Sequence, residues 1–189
     1  IGSRPKSLAV GSSSQVQDLA LGDCNGDGLV DLAAAANVSR SHYEILLYFQ
    51  RERDGLPDRP SRILRSTPGG GCTVQDALYL ELADLDENGA VDLMALSRSE
   101  GLDVFWRGIS GFSAEALTQL EACDEDLLAA NIALGRFGGA GSIDILRLDR
   151  IGVPVSRRGR ILLTTVELQN GDDGIKSIVV SEGPTALTE

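Results

Sequence analysis

One strand–turn–strand pattern recurs three times along this chain and limits the folds that it can adopt. The three segments are VQDLALGDCNGDGLVDLAAA at 16–35, YLELADLDENGAVDLMAL at 79–96 and NIALGRFGGAGSIDILRL at 131–148. Each consists of a short apolar strand, a nine-residue turn that ends in Asp, and a second apolar strand. The turns begin 61 and then 52 positions apart, at Asp23, Asp84 and Arg136. Such a period suits a unit of four short strands.

The residues between these segments supply the remaining strands of each unit. Apolar, β-forming runs lie at 43–49, 61–65, 101–106, 160–168 and 175–181, with Gly, Pro or Asn-Gly turns between them. The segment 114–128 has two interpretations: Glu and Leu recur as in a helix, whereas the repeat requires a fourth strand, which we favour.

The sequence therefore predicts an all-β fold made of about three four-stranded antiparallel β-propeller blades. The predicted blades lie roughly at 16–65, 76–120 and 127–181 of a single region that spans 1–189, and within 1–15 the run Lys6–Val10 is a candidate outer strand of a preceding blade. Propellers usually have four to eight blades, so three do not close a ring. We expect a partial propeller, completed by other chain segments, a partner or further copies. A smaller β-sandwich is the alternative.

The first two turns place oxygen-bearing side chains at positions 1, 3, 5 and 9. In the first turn these are Asp23, Asn25, Asp27 and Asp31, and Leu29 at position 7 offers its backbone carbonyl. The second turn offers, in the same order, Asp84, Asp86, Asn88, Ala90 and Asp92. Calcium takes about six to eight oxygen ligands, and alternate side chains of a tight turn point inward. The pattern predicts two calcium sites.

These turns have two other interpretations. Asp, Asn and Gly are common in turns without any metal, which explains the composition but not the repeated alternation. An EF-hand needs a Glu at position 12, where this chain has Ala34 and Ala95, and it needs flanking helices. The third turn has lost most ligands, so we expect no calcium there; instead, Arg136 is expected to pair with Asp144.

The loops DCNGDGLVD and DLDENGAVD, with the letters FGGAGSID in the third copy, resemble FG-GAP or VCBS-type repeats. These repeats form the blades of integrin α-subunit propellers and of many secreted bacterial proteins. The resemblance covers roughly 16–181 and implies a propeller with calcium between the two inner strands of a blade. It implies the same eight side-chain ligands in the first two loops. Cys24 departs from the aromatic or aliphatic residue usual at that position.

Charge and composition exclude several classes of function. The formal net charge of −11 argues against a nucleic-acid partner and suits a protein that binds cations. A single histidine, His42, and the absence of a GxSxG motif argue against a nucleophilic hydrolase. No apolar run is long enough to span a membrane. We therefore expect no catalysis within this chain.

The leading functional hypothesis is a calcium-stabilised extracellular or cell-surface module for adhesion, protein interaction or structural assembly. Its expected partners are proteins or further copies of the chain, and carbohydrate is a further candidate ligand. The alternative is the propeller of a secreted enzyme or toxin, of lyase or hydrolase class, with catalysis elsewhere. The chain starts at Ile1, which suggests a processed product or a fragment, and Cys72 and Cys123 are either free thiols or a disulfide.

Overall fold

The described part of the chain forms three four-stranded antiparallel sheets and a two-stranded ribbon. The computed structural model describes residues 7–10, 15–39, 42–52, 54–66, 78–97, 101–116, 118–120, 127–135, 144–151, 159–170 and 176–185. Sheet 1 has the order β1 (Gln15–Gly22), β2 (Asp31–Ser39), β3 (His42–Tyr48) and β4 (Arg62–Arg65). Each strand pairs antiparallel with the next in chain order, as expected for apolar runs separated by Gly, Asp and Pro.

Sheet 2 repeats this order with β5 (Leu78–Ala83), β6 (Asp92–Ser97), β7 (Gly101–Phe105) and β10 (Thr118–Leu120). In the sequence, β7 and β10 are separated by a two-stranded ribbon of β8 (Arg107–Gly108) and β9 (Gly111–Phe112). Sheet 3 contains β11 (Leu127–Gly135), β12 (Asp144–Ile151), β13 (Gly159–Asn170) and β14 (Lys176–Thr185).

For the residues that the structure describes, the prediction of an all-β fold with antiparallel sheets is confirmed. The described part of 114–128 contains no helix, and its regular elements are the strand 118–120 and the start of β11. None of the three sheets closes on itself. No helix in the described ranges is long and apolar enough to cross a membrane.

Sheets 1 and 2 pack face to face and share one hydrophobic core. Its buried members are Cys24, Ala33, Ala35, Tyr43, Ile45, Leu47 and Leu64 from the first unit and Leu80, Leu93, Ala95, Phe105 and Phe112 from the second. The core thus combines small alanines of β2 with the aromatic rings of Tyr43, Phe105 and Phe112.

The first two sheets also match in register, position by position. Leu19 pairs with Ala34 in sheet 1, and Leu80, 61 positions after Leu19, pairs with Ala95 in sheet 2. The same shift relates the pair of Leu21 with Leu32 to the pair of Leu82 with Leu93. Because the side-chain period of a strand is two, equal register places equivalent residues on equivalent faces of the two sheets.

The expected outer strand at Lys6–Val10 stays a prediction; residues 7–10 form no strand with the described part of the chain. The N–H of Ala9 donates to the carbonyl of Asp58, 3.0 Å away, and the carbonyl of Ala9 accepts from the Tyr48 hydroxyl at 2.6 Å. These backbone groups are therefore satisfied outside a strand ladder. Leu8 and Val10 pack against the outer face of sheet 1, on the buried cluster of Ala34, Ala36, Leu46 and Tyr48.

A buried hydrogen bond joins the two sheets inside this core. The hydroxyl of Tyr43 on β3 donates to Oδ2 of Asp103 on β7, and both side chains are almost fully buried. Tyr43→Phe should destabilise the protein by about 1.5–3 kcal/mol, because the buried carboxylate loses this donor. Urea unfolding tests this, with Tyr79→Phe, a half-buried tyrosine on β5, as the control. Equal stability of Tyr43→Phe and the parent would contradict the prediction.

Candidate metal centre

The two aspartate loops occupy equivalent places in sheets 1 and 2. Each loop connects an edge strand to its neighbour, β1 to β2 at 23–30 and β5 to β6 at 84–91. In both, the ninth residue, Asp31 or Asp92, opens the second strand. The fold therefore presents two copies of one turn, each between the same two strands of its sheet.

The first carboxylate of each loop caps the backbone of the turn. Oδ1 of Asp23 accepts from the N–H groups of Gly26 and Asp27 at 2.6 and 3.1 Å, and its Oδ2 accepts from Gly28 at 2.9 Å. Asp84 does the same in the second loop, with the N–H groups of Asn88 at 2.9 Å and Gly89 at 2.8 Å. Such bonds hold the loop in a tight wrap around the first residue.

The residues at positions 3 and 5 are Asn and Asp in the first loop and Asp and Asn in the second. In both loops the Asn side chain donates a hydrogen bond to the Asp side chain. In the first loop Nδ2 of Asn25 donates to Oδ2 of Asp27 at 2.8 Å. In the second loop Asn88 donates to Oδ2 of Asp86 at 2.9 Å, so that the amide and the carboxylate have changed places. Each loop consequently carries three carboxylates and one amide at its four positions.

The carboxylate at position 9 ties the loop to the third strand of its sheet. Oδ2 of Asp31 accepts from the N–H of Cys24 at 2.9 Å, and its Oδ1 accepts from Gln50, just after β3, at 2.7 Å. Asp92 accepts in the same way from Leu85 at 3.1 Å and from Arg107 at 2.8 Å. The sequence interpretation missed this role, because it treated position 9 only as a metal ligand.

The wrap requires a left-handed backbone at two positions of each loop. Position 6 is glycine in both, with φ of 81° at Gly28 and 83° at Gly89. Position 4 is Gly26 with φ of 84° in the first loop but Glu87 with φ of 57° in the second. A residue with a side chain at such an angle is strained. The second loop therefore adopts the wrap despite this cost.

Three carboxylates of the second loop converge on one point. Oxygens of Asp84, Asp86 and Asp92 all lie within 4.8 Å of one another, and Asp92 is fully buried. Two oxygens bound to one calcium at roughly 2.4 Å can be no more than about 4.8 Å apart. The spacing is thus compatible with one bound metal ion. The equivalent residues of the first loop are Asp23, Asn25 and Asp31.

Arg107 connects the two loops, a contact that the sequence interpretation did not foresee. Its N–H binds Asp92, and its carbonyl accepts from Asn88 of the second loop at 3.4 Å. Its guanidinium lies against Gly26 of the first loop, where a Cβ atom would overlap it. Any side chain at position 26 would displace this arginine, which gives a second reason for glycine there.

Burial and charge act differently on the aspartates of the loops. Burial raises the pKa of Asp92 to about 6, and the negative charge of Asp84 acts in the same direction, whereas the N–H groups of Arg107 and Leu85 act against it. Burial also raises the pKa of Asp31 above its ordinary value, and the charges of Asp27 and Asp23 add to the effect. Burial acts on Asp23 too, but the N–H groups of Gly28, Gly26 and Asp27 outweigh it and lower its pKa. Two buried carboxylates therefore favour a bound proton or a bound cation.

The other predicted site residues have simpler positions. The N–H of Leu29 donates to Asp27 and that of Ala90 donates to Asn88, while the metal-binding role of their carbonyls stays a prediction. Cys24 is a buried free thiol whose pKa rises to about 12, chiefly through burial, so it packs as an apolar residue. Arg136, Cys72 and Cys123 lie outside the described residues.

Comparison with known proteins adds no relative to this picture. No protein-family model matches the chain, and no curated protein or solved structure matches it.

Proposed function

We propose that this chain is a calcium-stabilised extracellular β-propeller region that acts as a module for protein interaction, adhesion or structural assembly. The observation that carries the proposal is the convergence of Asp84, Asp86 and Asp92 in a turn that sheet 1 repeats with the same hydrogen bonds. Plain turns need the backbone caps at position 1, but they do not need three carboxylates within reach of one ion.

Calcium would have a structural role in each loop. The ion would offset the repulsion among the three carboxylates and the cost of burying the ninth residue as a charge. Because Asp31 and Asp92 also bind the residues after β3 and β7, an ion held there would fasten three strands of each sheet together. Millimolar calcium outside the cell is sufficient for loops of modest affinity, which supports an extracellular location.

The stacked sheets support an assembly role. Sheets 1 and 2 already bury an extensive common core, and sheet 3 continues the stack through β11, which lies beside β6. In this proposal the three sheets are blades of a propeller that requires further blades to close. In this proposal the chain performs no catalysis, and its loops carry the contacts with other molecules.

The test is the melting temperature in calcium, in magnesium and in excess EDTA. Calcium in about tenfold excess over its dissociation constant should add about 1.4 kcal/mol of stability for each filled loop. For a chain of this size, each kcal/mol corresponds to about 2–4 °C. Magnesium should not replace calcium, since it demands a smaller, octahedral shell. An unchanged melting temperature in a protein that metal analysis shows to be free of calcium would contradict the proposal.

The two loops supply matched variants for this experiment. Asp86→Asn gives the second loop the Asn that the first loop has at position 3, and Asp27→Asn gives the first loop the Asn that the second has at position 5. Because the other loop already has Asn at the substituted position, stability in EDTA should change little. Each variant lacks one carboxylate and should lose most of the calcium effect of its own loop. Asp54→Asn, an exposed aspartate in another turn, should retain both effects.

A further inference from the structure

Arg107, the first residue of β8, is attached to the second loop through its backbone. Its N–H donates to Oδ1 of Asp92 at 2.8 Å, and its carbonyl accepts from Nδ2 of Asn88 at 3.4 Å. In sheet 1 the equivalent N–H is that of Gln50, which donates to Oδ1 of Asp31 at 2.7 Å. The second unit therefore has a cationic side chain in a place where the first unit has a neutral one.

The side chain of Arg107 leaves its own loop and lies against the first loop. Its Cζ and Nη1 are 3.3 and 3.6 Å from the place that a Cβ of Gly26 would take. Its Nε is buried and has no hydrogen-bond partner among the described residues. A charge that is partly withdrawn from water interacts more strongly with its neighbours than a fully solvated one. Burial has the largest effect on the pKa of Asp23, and the charge of Arg107 acts against it.

The two loops differ in charge at position 4. Both have three carboxylates and one amide at positions 1, 3, 5 and 9, so these positions alone predict similar affinities for a cation. At position 4 the second loop has the exposed carboxylate of Glu87, whereas the first loop has Gly26 with the guanidinium of Arg107 against it. The charge of Arg107 also reaches Asp92 in the second loop, where the attraction of Glu87 for a cation offsets it. The first loop has no such offset at position 4.

We propose that the guanidinium of Arg107 serves the first loop as a built-in cation, so that calcium fills the second loop before the first. A divalent ion in the first loop would have a positive charge beside it, and an ion in the second loop would have the carboxylate of Glu87. Opposite unit charges at this range should separate the calcium affinities of the two loops by about tenfold or more. The inference rests on the proposed calcium binding and adds an order of filling that the ligands alone do not predict.

Isothermal titration calorimetry of the full chain with calcium tests this order. Asp86→Asn leaves the first loop intact and Asp27→Asn leaves the second intact, so the dissociation constant of each loop is measured by itself. The first loop should bind calcium about tenfold more weakly than the second. Because the cause is charge, the ratio of the two constants should approach one in about 1 M KCl, where the screening length is about 3 Å.

Arg107→Gln identifies the side chain that weakens the first loop. In the Asp86→Asn background it should tighten calcium binding by about threefold or more, because the opposing charge is gone. Sheet 1 already has Gln in the equivalent place, so the backbone bonds of this residue to the second loop should persist. Arg51→Gln, at an exposed arginine, is the matched control and should leave the affinity of the first loop unchanged.

Glu87→Gln tests the opposite charge in the second loop. In the Asp27→Asn background it should weaken calcium binding by about threefold or more. The side chain is exposed and the left-handed backbone at this position is kept, so the fold should persist whether or not Arg107→Gln is tolerated.

The outcomes separate this inference from the proposed function. Equal affinities of the two loops would overturn the order of filling and leave calcium binding in place. An Arg107→Gln variant whose first loop binds calcium no more tightly would do the same, and so would a Glu87→Gln variant with an unchanged second loop. Absence of calcium binding in the parent chain would contradict the proposed function, and the order of filling with it.

Discussion

In EDTA, the free energy of unfolding is expected to fall by up to about 3 kcal/mol as the pH rises from about 4 to about 7. The cause is Asp92, whose pKa is raised from 3.8 to about 6, chiefly because the side chain is buried. Between these two values the folded protein holds a proton that the unfolded chain has released. The folded state is therefore favoured at the acid end of this window and loses that advantage as the pH rises through about 6.

The neighbouring charges determine the size of this effect. Asp84 disfavours the charged form of Asp92, whereas the N–H groups of Leu85 and Arg107 and the charge of Arg107 favour it. Asp31 in the first loop also has a raised pKa and adds a fall of the same sign. Asp23 has a lowered pKa, so the stability that it contributes is lost only below pH 3.8. The fall in the free energy of unfolding between about pH 4 and pH 7 is consequently the sum of the contributions of Asp92 and Asp31.

Asp92→Asn separates this contribution from all others. The variant should be less stable at every pH, because the NH2 group of the new amide faces one of the two N–H groups that donate to Asp92. Its stability should nevertheless change less with pH than that of the parent. Urea unfolding at several pH values in EDTA measures the difference. A constant difference across the window would contradict the prediction. Calcium should reduce the fall in the parent, because it replaces the proton as the partner of the carboxylate.

Phe105→Ala should cost about 3–5 kcal/mol, among the largest single losses that this fold allows. Phe105 lies on β7, is fully buried and pairs in register with Leu93. Its ring belongs to the core shared with Ile45 and Leu47 of sheet 1, so its removal opens a cavity between two sheets. The loss includes both the transfer of the ring and the cavity that remains.

The same variant tests whether the two sheets unfold together. Because the core belongs to both, unfolding followed by fluorescence of Trp106 and by far-ultraviolet circular dichroism should shift equally. Ile109→Ala, three residues beyond Trp106 and fully exposed, should change stability by less than about 0.5 kcal/mol. A loss below about 1 kcal/mol for Phe105→Ala would show that sheet 2 does not depend on this interface.

Local patterns in the sequence determined the elements and much of the candidate site. Alternating apolar residues and Gly-rich turns predicted the strands, because these signals act within a few positions of the chain. The spacing of Asp, Asn and Gly predicted two equivalent turns, and the structure gives them the same hydrogen bonds, from Asp23 and from Asp84. The outer strand expected at Lys6–Val10 stays a prediction, and the structure adds that Leu8 and Val10 pack on sheet 1.

Contacts between distant residues were decided only by the tertiary structure. Tyr43 meets Asp103 across 60 positions, Arg107 of the second unit reaches Gly26 of the first, and Asp31 binds Gln50 beyond the third strand. The exposure of Leu19 and Leu21 is of the same kind, since their equivalents Leu80 and Leu82 have the same sequence pattern but are covered. Periodicity specifies which face of a strand is apolar, whereas only the stacking of sheets determines which face finds a partner.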